Sequence, residues 1–403
     1  MSKNINFYNP PEYYYRMAKD HLSAALASGK ITITDKELID QYMAEVSANL
    51  SPGRYYKLII MLVGNFDFHP SYLQCTLVDI QSIPNKIQNA RKPDGTLRYS
   101  KNTFADRVRM AKRMFIWLAE NDRISLDLRK LNAIKTPAYD RYTVTADDIL
   151  TEDEIGSFLG SCHTARDRAM FWIMYEGALR VGEIGNLRFR DVKVTDKFCT
   201  INTNEKTGKP RYIPLVVSKP YYAQWINEYP GVKDPDNLVF INRSKKPMTR
   251  AAIAKQMRTI AKKAGIQKDV WPHLFRHSRI THLLQAKPPL PESQIKLICW
   301  GDVNTNMLAT YQHLTNNDLE RSMAILNGID IDEEEEPKKR QLKPIQCKEC
   351  GHVNGPTMDL CEVCGAPLTA ATRDAAELLA SYLREKIMGD PQFLLAIAGS
   401  KGR

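Results

Sequence analysis

Between Trp271 and Tyr311 the sequence gathers its scarcest reactive side chains. His273, Arg276, His277 and His282 fall within ten residues, and Trp300 and Tyr311 follow. Three of the eight histidines lie in that segment beside Arg276 and Arg279, with hardly any carboxylate before Glu292. A site so composed suits an anion rather than a metal cation. His273 and Arg276, three residues apart, share one helical face and can address the same anion. Farther upstream, Arg180 stands in Gly177-Ala178-Leu179-Arg180-Val181-Gly182-Glu183, near the end of an apolar helix and with Glu183 within reach as its partner. Together with Arg276 it supplies two forked donors able to grip the nonbridging oxygens of one phosphate.

The elements that must position these groups are mostly helices. Thr34 with Glu37, and Thr151 with Glu154, have the spacing of helix-capping pairs. Over 100–122, Phe104, Val108, Ala111, Phe115 and Leu118 recur in steps of four and three, the pattern of a buried helix face. The rest of that helix carries Lys101, Arg107, Arg109, Lys112 and Arg113, cations suited to tracking a phosphate backbone. A helical pattern opens again at Thr151 with Ile155 and Phe158 inward, and others run over 165–176, 249–264 and 273–286, while 197–203 and 211–215 read as two strands joined at Lys206-Thr207-Gly208-Lys209. The expected fold is therefore mainly α with a small antiparallel β-sheet, an α+β chain whose hairpin tip is basic.

A chain of 403 residues is too long for one ordinary core. Its expected divisions are a helical domain over 11–130, a linker over 131–149, a second domain over 150–328, and a charged linker over 329–346. A four-cysteine module over 347–365 and an amphipathic helix and tail over 366–403 complete the chain. The cysteines number eight: Cys75, Cys162, Cys199 and Cys299 are scattered, while Cys347, Cys350, Cys361 and Cys364 form two C-x-x-C pairs, each followed by glycine. Four thiolates at this spacing make a closed tetrahedral set for a structural zinc, and in so small a module the metal would supply most of the folding energy. In the tail, Leu378, Leu379, Tyr382, Leu383 and Ile387 form one stripe, that of a packing or oligomer helix. A net charge of +11 makes nucleic acid the first candidate partner. No apolar run nears the roughly 18 residues of a membrane span, and no secretory signal opens the chain, so a cytoplasmic location is expected.

In order along the chain, Arg180, Lys206, His273 with Arg276, Trp300 and Tyr311 lie in the contexts GALRVGEIGNL, NEKTGKPRYIPL, WPHLFRHSRITHLL and MLATYQHL. This set resembles the tyrosine recombinase (phage integrase) family, over 150–325 for the catalytic domain and more loosely over the helical region before it, which looks like that family's core-binding domain. The Tyr-Gln-His-Leu ending and the four-cysteine module look most like archaeal members. The resemblance implies that Arg180 and Arg276 clamp the scissile phosphate, with Glu183 orienting the first. Lys206 would protonate the departing 5′ oxygen, His273 would handle the proton of the nucleophile, Trp300 would stand where the family usually has histidine, and Tyr311 would attack phosphorus to become joined to the 3′ end. Lys209, in the same turn as Lys206, is assigned to DNA binding with Lys101, Arg107, Lys112 and Arg113. His277, His282 and His313 are read as packing groups or supports.

A phenol with an ordinary pKa near 10 needs cationic neighbours or a base to attack at neutral pH. Two arginines and a lysine provide that field. No Asp or Glu cluster with metal-ligand spacing accompanies them, which argues against two-metal nuclease chemistry. The implied protein is a site-specific recombinase of double-stranded DNA, a monomer in solution and a homotetramer on two sites, nucleoid-associated, needing no metal or nucleotide for catalysis. Its rivals are a catalytically silent DNA-binding descendant and a type IB-like topoisomerase.

Overall fold

A computed structural model of the chain describes residues 7–140, 144–203, 210–286, 290–311, 323, 327, 342 and 344–389. Two compact units divide it: Tyr8–Thr143, and Phe7 together with the chain from Val144 onward. Among the described residues no helix is long and apolar enough to cross a membrane.

The first unit holds α1 (Pro11–Ala27), α2 (Ile33–Val46), α3 (Pro52–Asn65), α4 (Leu77–Gln88), α5 (Lys101–Glu120) and α6 (Leu128–Asn132). Capping fixes where several of them start. Thr32, rather than Thr34, caps α2: its hydroxyl accepts from the Asp35 amide, and Asp35 returns the bond to Thr32. Both Thr-x-x-acid pairs satisfy the spacing, but only Asp35 also accepts from the Ser71 hydroxyl at 2.8 Å and the Tyr72 amide at 2.9 Å. That long-range anchorage selects the register. On α5, Val108, Ala111, Phe115 and Leu118 are buried as the periodicity predicts, and Phe104 is half-buried against the same core. Leu131 and Ile134, within the stretch read as linker, pack on this core too.

The cations of α5 part company. Lys101 is exposed and stands 3.4 Å from Asp140, and Arg113 is exposed. Lys112 turns back to donate to the carbonyls of Asn132 and Ile134, at 2.6 and 2.9 Å. Arg107 is buried, donating to the Asn65 side chain at 3.0 Å with its guanidinium 4.3 Å from the centre of the Tyr99 ring. It therefore departs from the surface role the sequence suggests: helical periodicity gives the direction of a side chain but not the depth of the groove beside it.

The second unit begins its helices with α7 (Glu152–Gly160), capped by Thr151 and Glu154, and continues through α8 (Ala165–Glu176) and α9 (Val181–Gly185). A three-stranded antiparallel sheet follows, β1 (Val192–Val194), β2 (Cys199–Thr203) and β3 (Arg211–Leu215), in that spatial order with Ile201 opposite Ile213. Then come α10 (Ser218–Asn227), α11 (Arg250–Lys263), α12 (Pro272–Leu284) and α13 (Glu292–Trp300). Phe158, Phe171, Trp172 and Phe275 centre the main core. Phe7 joins it from the far end of the sequence: a Cβ on Gly185 would strike its ring, so that glycine is required by contact.

The four-cysteine module carries β4 (Ile345–Gln346) and β5 (Val353–Asn354), and α14 (Ala370–Gly389) follows it. The module is docked on the same unit, where the Tyr221 hydroxyl lies 2.6 Å from the Thr357 hydroxyl and a Cβ on Gly355 would strike the Tyr221 ring. Leu378, Leu379, Tyr382 and Leu383 are exposed on α14.

Candidate active site

Arg180 is delivered by a turn. Helix α8 ends at Gly177, and Ala178, wholly buried, takes a left-handed φ of +47°, a conformation that costs a side-chain-bearing residue about 1–2 kcal/mol. The chain then re-enters a helix with Arg180 at the cap of α9, where its amide donates to Glu183 at 2.6 Å and its guanidinium pairs with the same carboxylate at 3.1 Å. The Arg180 side chain keeps about a third of its surface, 33%, while Glu183 is buried.

On α12 the helical repeat sets Arg276 inward, 2% exposed, and His273 on the exposed margin one turn earlier. Arg276 donates to the Ala178 carbonyl, and to the Cys299 carbonyl at 2.6 Å. Those acceptors are the strained turn and the last turn of α13, so one guanidinium ties together the two segments that carry Arg180 and Trp300. Its enclosure, and then the charge of Arg180, lower its pKa to about 10, still cationic at neutral pH. Helix α13 ends at Trp300 because Gly301 adopts φ +69°, the left-handed cap glycine supplies without strain.

From Arg276 the contacts run on without a break. Its guanidinium lies 5.3 Å from the centre of the Trp300 ring, and the Trp300 ring is 5.8 Å from that of Tyr311. Tyr311 in turn is 4.9 Å from His277, and His277 is 5.5 Å from His273. Tyr311 is 7% exposed, within a small core that includes Ala178, Ile280, Ile295, Cys299, Trp300 and Leu308. Burial raises the pKa of its phenol above the ordinary value, and Arg276 opposes that rise by charge and by a hydrogen bond. Crowding, then the charges of Arg276, Arg180 and Arg250, lower the pKa of His273, which favours a neutral ring able to accept a proton. His277 is held down to about 4 by burial, His273 and Arg276. Burial, and then the charge of Arg279, hold His282 near 4 as well, and its Nδ1 lies 2.7 Å from the Tyr175 hydroxyl.

The structure thus gathers Arg180, Glu183, His273, Arg276, Trp300 and Tyr311 in one connected cluster. Lys206, Lys209 and His313 lie outside the described residues. Sequence reading missed Arg211, which is buried at the start of β3 and ion-paired with Glu183. The alternation of β3 was the available signal, since Arg211, Ile213 and Leu215 all point inward.

At the other end of the unit, the four ligand sulfurs of Cys347, Cys350, Cys361 and Cys364 lie within 4.8 Å of one another and could hold a metal ion. Sulfur–sulfur distances of 3.6 Å for Cys347 to Cys364 and 3.5 Å for Cys350 to Cys361 approach the roughly 3.8 Å edge of a tetrahedron with arms of roughly 2.3 Å. Gly351 and Gly365, both at φ +71°, allow the tight turn after each pair, with amides bonded back to the Cys347 and Cys361 carbonyls.

Comparison with known proteins bears on the cluster directly. The profile of the phage integrase family matches residues 148–318. The tyrosine recombinase XerD of Listeria innocua is 30% identical over 226 residues, which cover 54% of this chain and 73% of that protein. The chain belongs to the tyrosine recombinase family. With membership comes the activity of a site-specific recombinase, an enzyme that cleaves and rejoins DNA strands. XerD of Lacticaseibacillus casei is 34% identical over 161 residues, covering 38% of the recombinase described here and 52% of its relative. These relatives are bacterial and lend the archaeal likeness no support. In fold, the recombinase is similar to XerH in a post-cleavage complex with its palindromic difH substrate, with a TM-score of 0.53 at 18% identity, covering 80% of this chain and 99% of that one. It is equally similar to the Tn1549 transposon integrase bound to transposon right end DNA, with a TM-score of 0.53 at 17% identity, covering 72% and 98%.

Proposed function

We propose that this recombinase cuts duplex DNA by attack of the Tyr311 phenol on a phosphodiester held between Arg180 and Arg276. The observation that carries the reading is the unbroken series of contacts from Arg276 through Trp300 to Tyr311, with Arg276 and Arg180 joined to the same turn. In the step, the Tyr311 oxygen bonds to phosphorus and His273 accepts the phenolic proton. The 5′ oxygen departs with a proton from Lys206. The product is a 3′-phosphotyrosyl link and a free 5′ hydroxyl, and attack by a second 5′ hydroxyl reverses the chemistry onto a new strand. Because the link retains the phosphodiester energy, resealing needs no nucleotide. The two arginines offset the charge that grows on the nonbridging oxygens.

Residues 11–130 serve in this reading as the core-binding domain and 150–328 as the catalytic domain, joined by 131–149, with Lys101 and Arg113 facing the DNA backbone. Lys209 assists at the hairpin tip. Four protomers act on two sites, each a monomer before it meets double-stranded DNA, and the enzyme works in the cytoplasm on the nucleoid. Beyond the linker 329–346, residues 347–365 form a structural zinc ribbon and 366–403 a packing helix and tail. A set of four thiolates suits a closed, non-catalytic zinc.

A pool of nicked duplexes with randomised sequence tests the nucleophile. Adducts that survive denaturation are recovered, digested with nuclease and protease, and mapped by mass spectrometry. The expected product is a nucleotide on the Tyr311 peptide; adducts on another residue, or none from any pool, would sink the assignment. Strand exchange between the recovered duplex and a second copy then separates a recombinase from a topoisomerase. For the ribbon, the purified chain should carry about one zinc per protomer. A strong chelator should open 347–365 to protease while the main core, which has its own apolar centre, stays folded. Protection unchanged after complete metal removal would refute the zinc reading.

A further inference from the structure

Arg211 occupies an inward position of β3, opposite Thr203, and is 3% exposed. Enclosing a guanidinium so fully is costly unless its donors are met; its Nε has no hydrogen-bond partner, while its two terminal nitrogens are engaged in a particular way. One terminal nitrogen donates to the Ile298 carbonyl at 2.7 Å and the Cys299 carbonyl at 3.1 Å, in the last turn of α13. The other pairs with Glu183. Both contacts are shared with the phosphate-clamping arginines: Glu183 also holds Arg180 at 3.1 Å, and the Cys299 carbonyl also accepts from Arg276 at 2.6 Å. Arg211 is thus bonded to one anchor of each clamp, with both of its terminal nitrogens already engaged by protein groups.

Charge gives this arrangement a second effect. Glu183 is ion-paired with both Arg180 and Arg211, and were it paired with Arg180 alone it would offset most of that arginine's charge. Arg211 draws on the same carboxylate and leaves Arg180 more of its field for a phosphate. It also fixes the carbonyl end of α13, the helix that places Trp300 against Tyr311.

We propose that Arg211 is a positioning residue for strand cleavage, setting Arg180 through the Glu183 carboxylate and Arg276 through the Cys299 carbonyl. The proposal rests on the phosphate-clamp reading above. Its test uses the duplex recovered from the randomised pool and compares wild type, Arg211→Lys, Arg211→Met, Glu183→Gln and the double variants. Melting temperature, DNA affinity and the single-turnover rate of adduct formation at saturating DNA are measured for each. Arg211→Lys keeps the charge and the stem but not the fork. It should melt near wild type, bind DNA within about twofold, and form adduct roughly 10- to 100-fold more slowly. On the Glu183→Gln background the same change should cost several-fold less than in the wild type, because one of the two groups it acts through, the carboxylate, is already gone. Wild-type rates in folded Arg211 variants would overturn the proposal, as would losses that multiply independently with Glu183→Gln or that merely track melting and affinity. Should Arg211→Met not fold, the lysine cycle decides alone. Failure of the wild type to form any adduct would instead remove the clamp reading, and the proposal with it.

Discussion

Tyr311→Phe is expected to abolish the denaturant-stable adduct, lowering its rate of formation by at least roughly a thousandfold, while leaving DNA affinity within about twofold. The substitution removes one oxygen and little else. The ring keeps its neighbours Trp300 and His277, at 5.8 and 4.9 Å, so the small core around it stays filled. The lost hydrogen bond with Arg276 concerns a donor that still has the Ala178 and Cys299 carbonyls, and the fold should change by no more than about 1 kcal/mol. Melting, filter binding and denaturing electrophoresis read the three quantities separately. An adduct of undiminished yield on the phenylalanine variant would mean that another side chain attacks.

Arg276→Met should be nearly as damaging, for two reasons that can be measured apart. Catalytically, a cation facing the charge that builds on phosphorus is lost, worth roughly a thousandfold or more in cleavage rate. Structurally, the Ala178 carbonyl loses a donor it receives from Arg276, and the Cys299 carbonyl is left with its 3.1 Å bond from Arg211. Each buried carbonyl so stripped costs about 1–3 kcal/mol, and because Arg211 still serves Cys299 the loss of stability should lie toward the lower end of their sum. Arg276→Lys separates the two effects. An ammonium restores charge but cannot span two carbonyls and a phosphate at once, so stability should recover in part while most of the rate stays lost. A lysine variant that cleaves at the wild-type rate would show that the forked geometry is irrelevant.

Much of the cluster was legible because helices repeat. His273 and Arg276 share a face by spacing alone, and Arg180 with Glu183 announces a capped turn. What the spacing leaves out is depth and distance. Arg107 sits among solvent-seeking cations of α5, yet Tyr99 and Asn65, from elsewhere in the first unit, form a slot that encloses it. Arg211 looks like one more basic residue of the hairpin, because its acceptors at Ile298 and Cys299 lie 87 and 88 residues away. Phe7 is invisible for the same reason, its partner being the backbone around Gly185. Thr32 and Thr34 are equivalent caps until the Ser71-Tyr72 turn chooses between them. The helix over 165–176 and the strand over 211–215 need no such help, since local periodicity and the ends of the elements coincide there.

A side chain with the role proposed for Tyr311 is dangerous on every sequence except its own. With Tyr311 wedged between indole and imidazole and Arg276 sealed beneath it, a passing phosphodiester finds no armed nucleophile. In the proposed reaction, cleavage waits until DNA binding withdraws the phenol from its slot. Each increment of about 1.4 kcal/mol needed for that withdrawal makes the armed form about tenfold rarer on unmatched DNA. The same enclosure slows the enzyme on its proper target, so fidelity and speed are set against each other by how tightly one aromatic ring is stowed. Substitutions that loosen the stowage, such as trimming His277, should raise the frequency of stray nicks before they raise the rate of recombination.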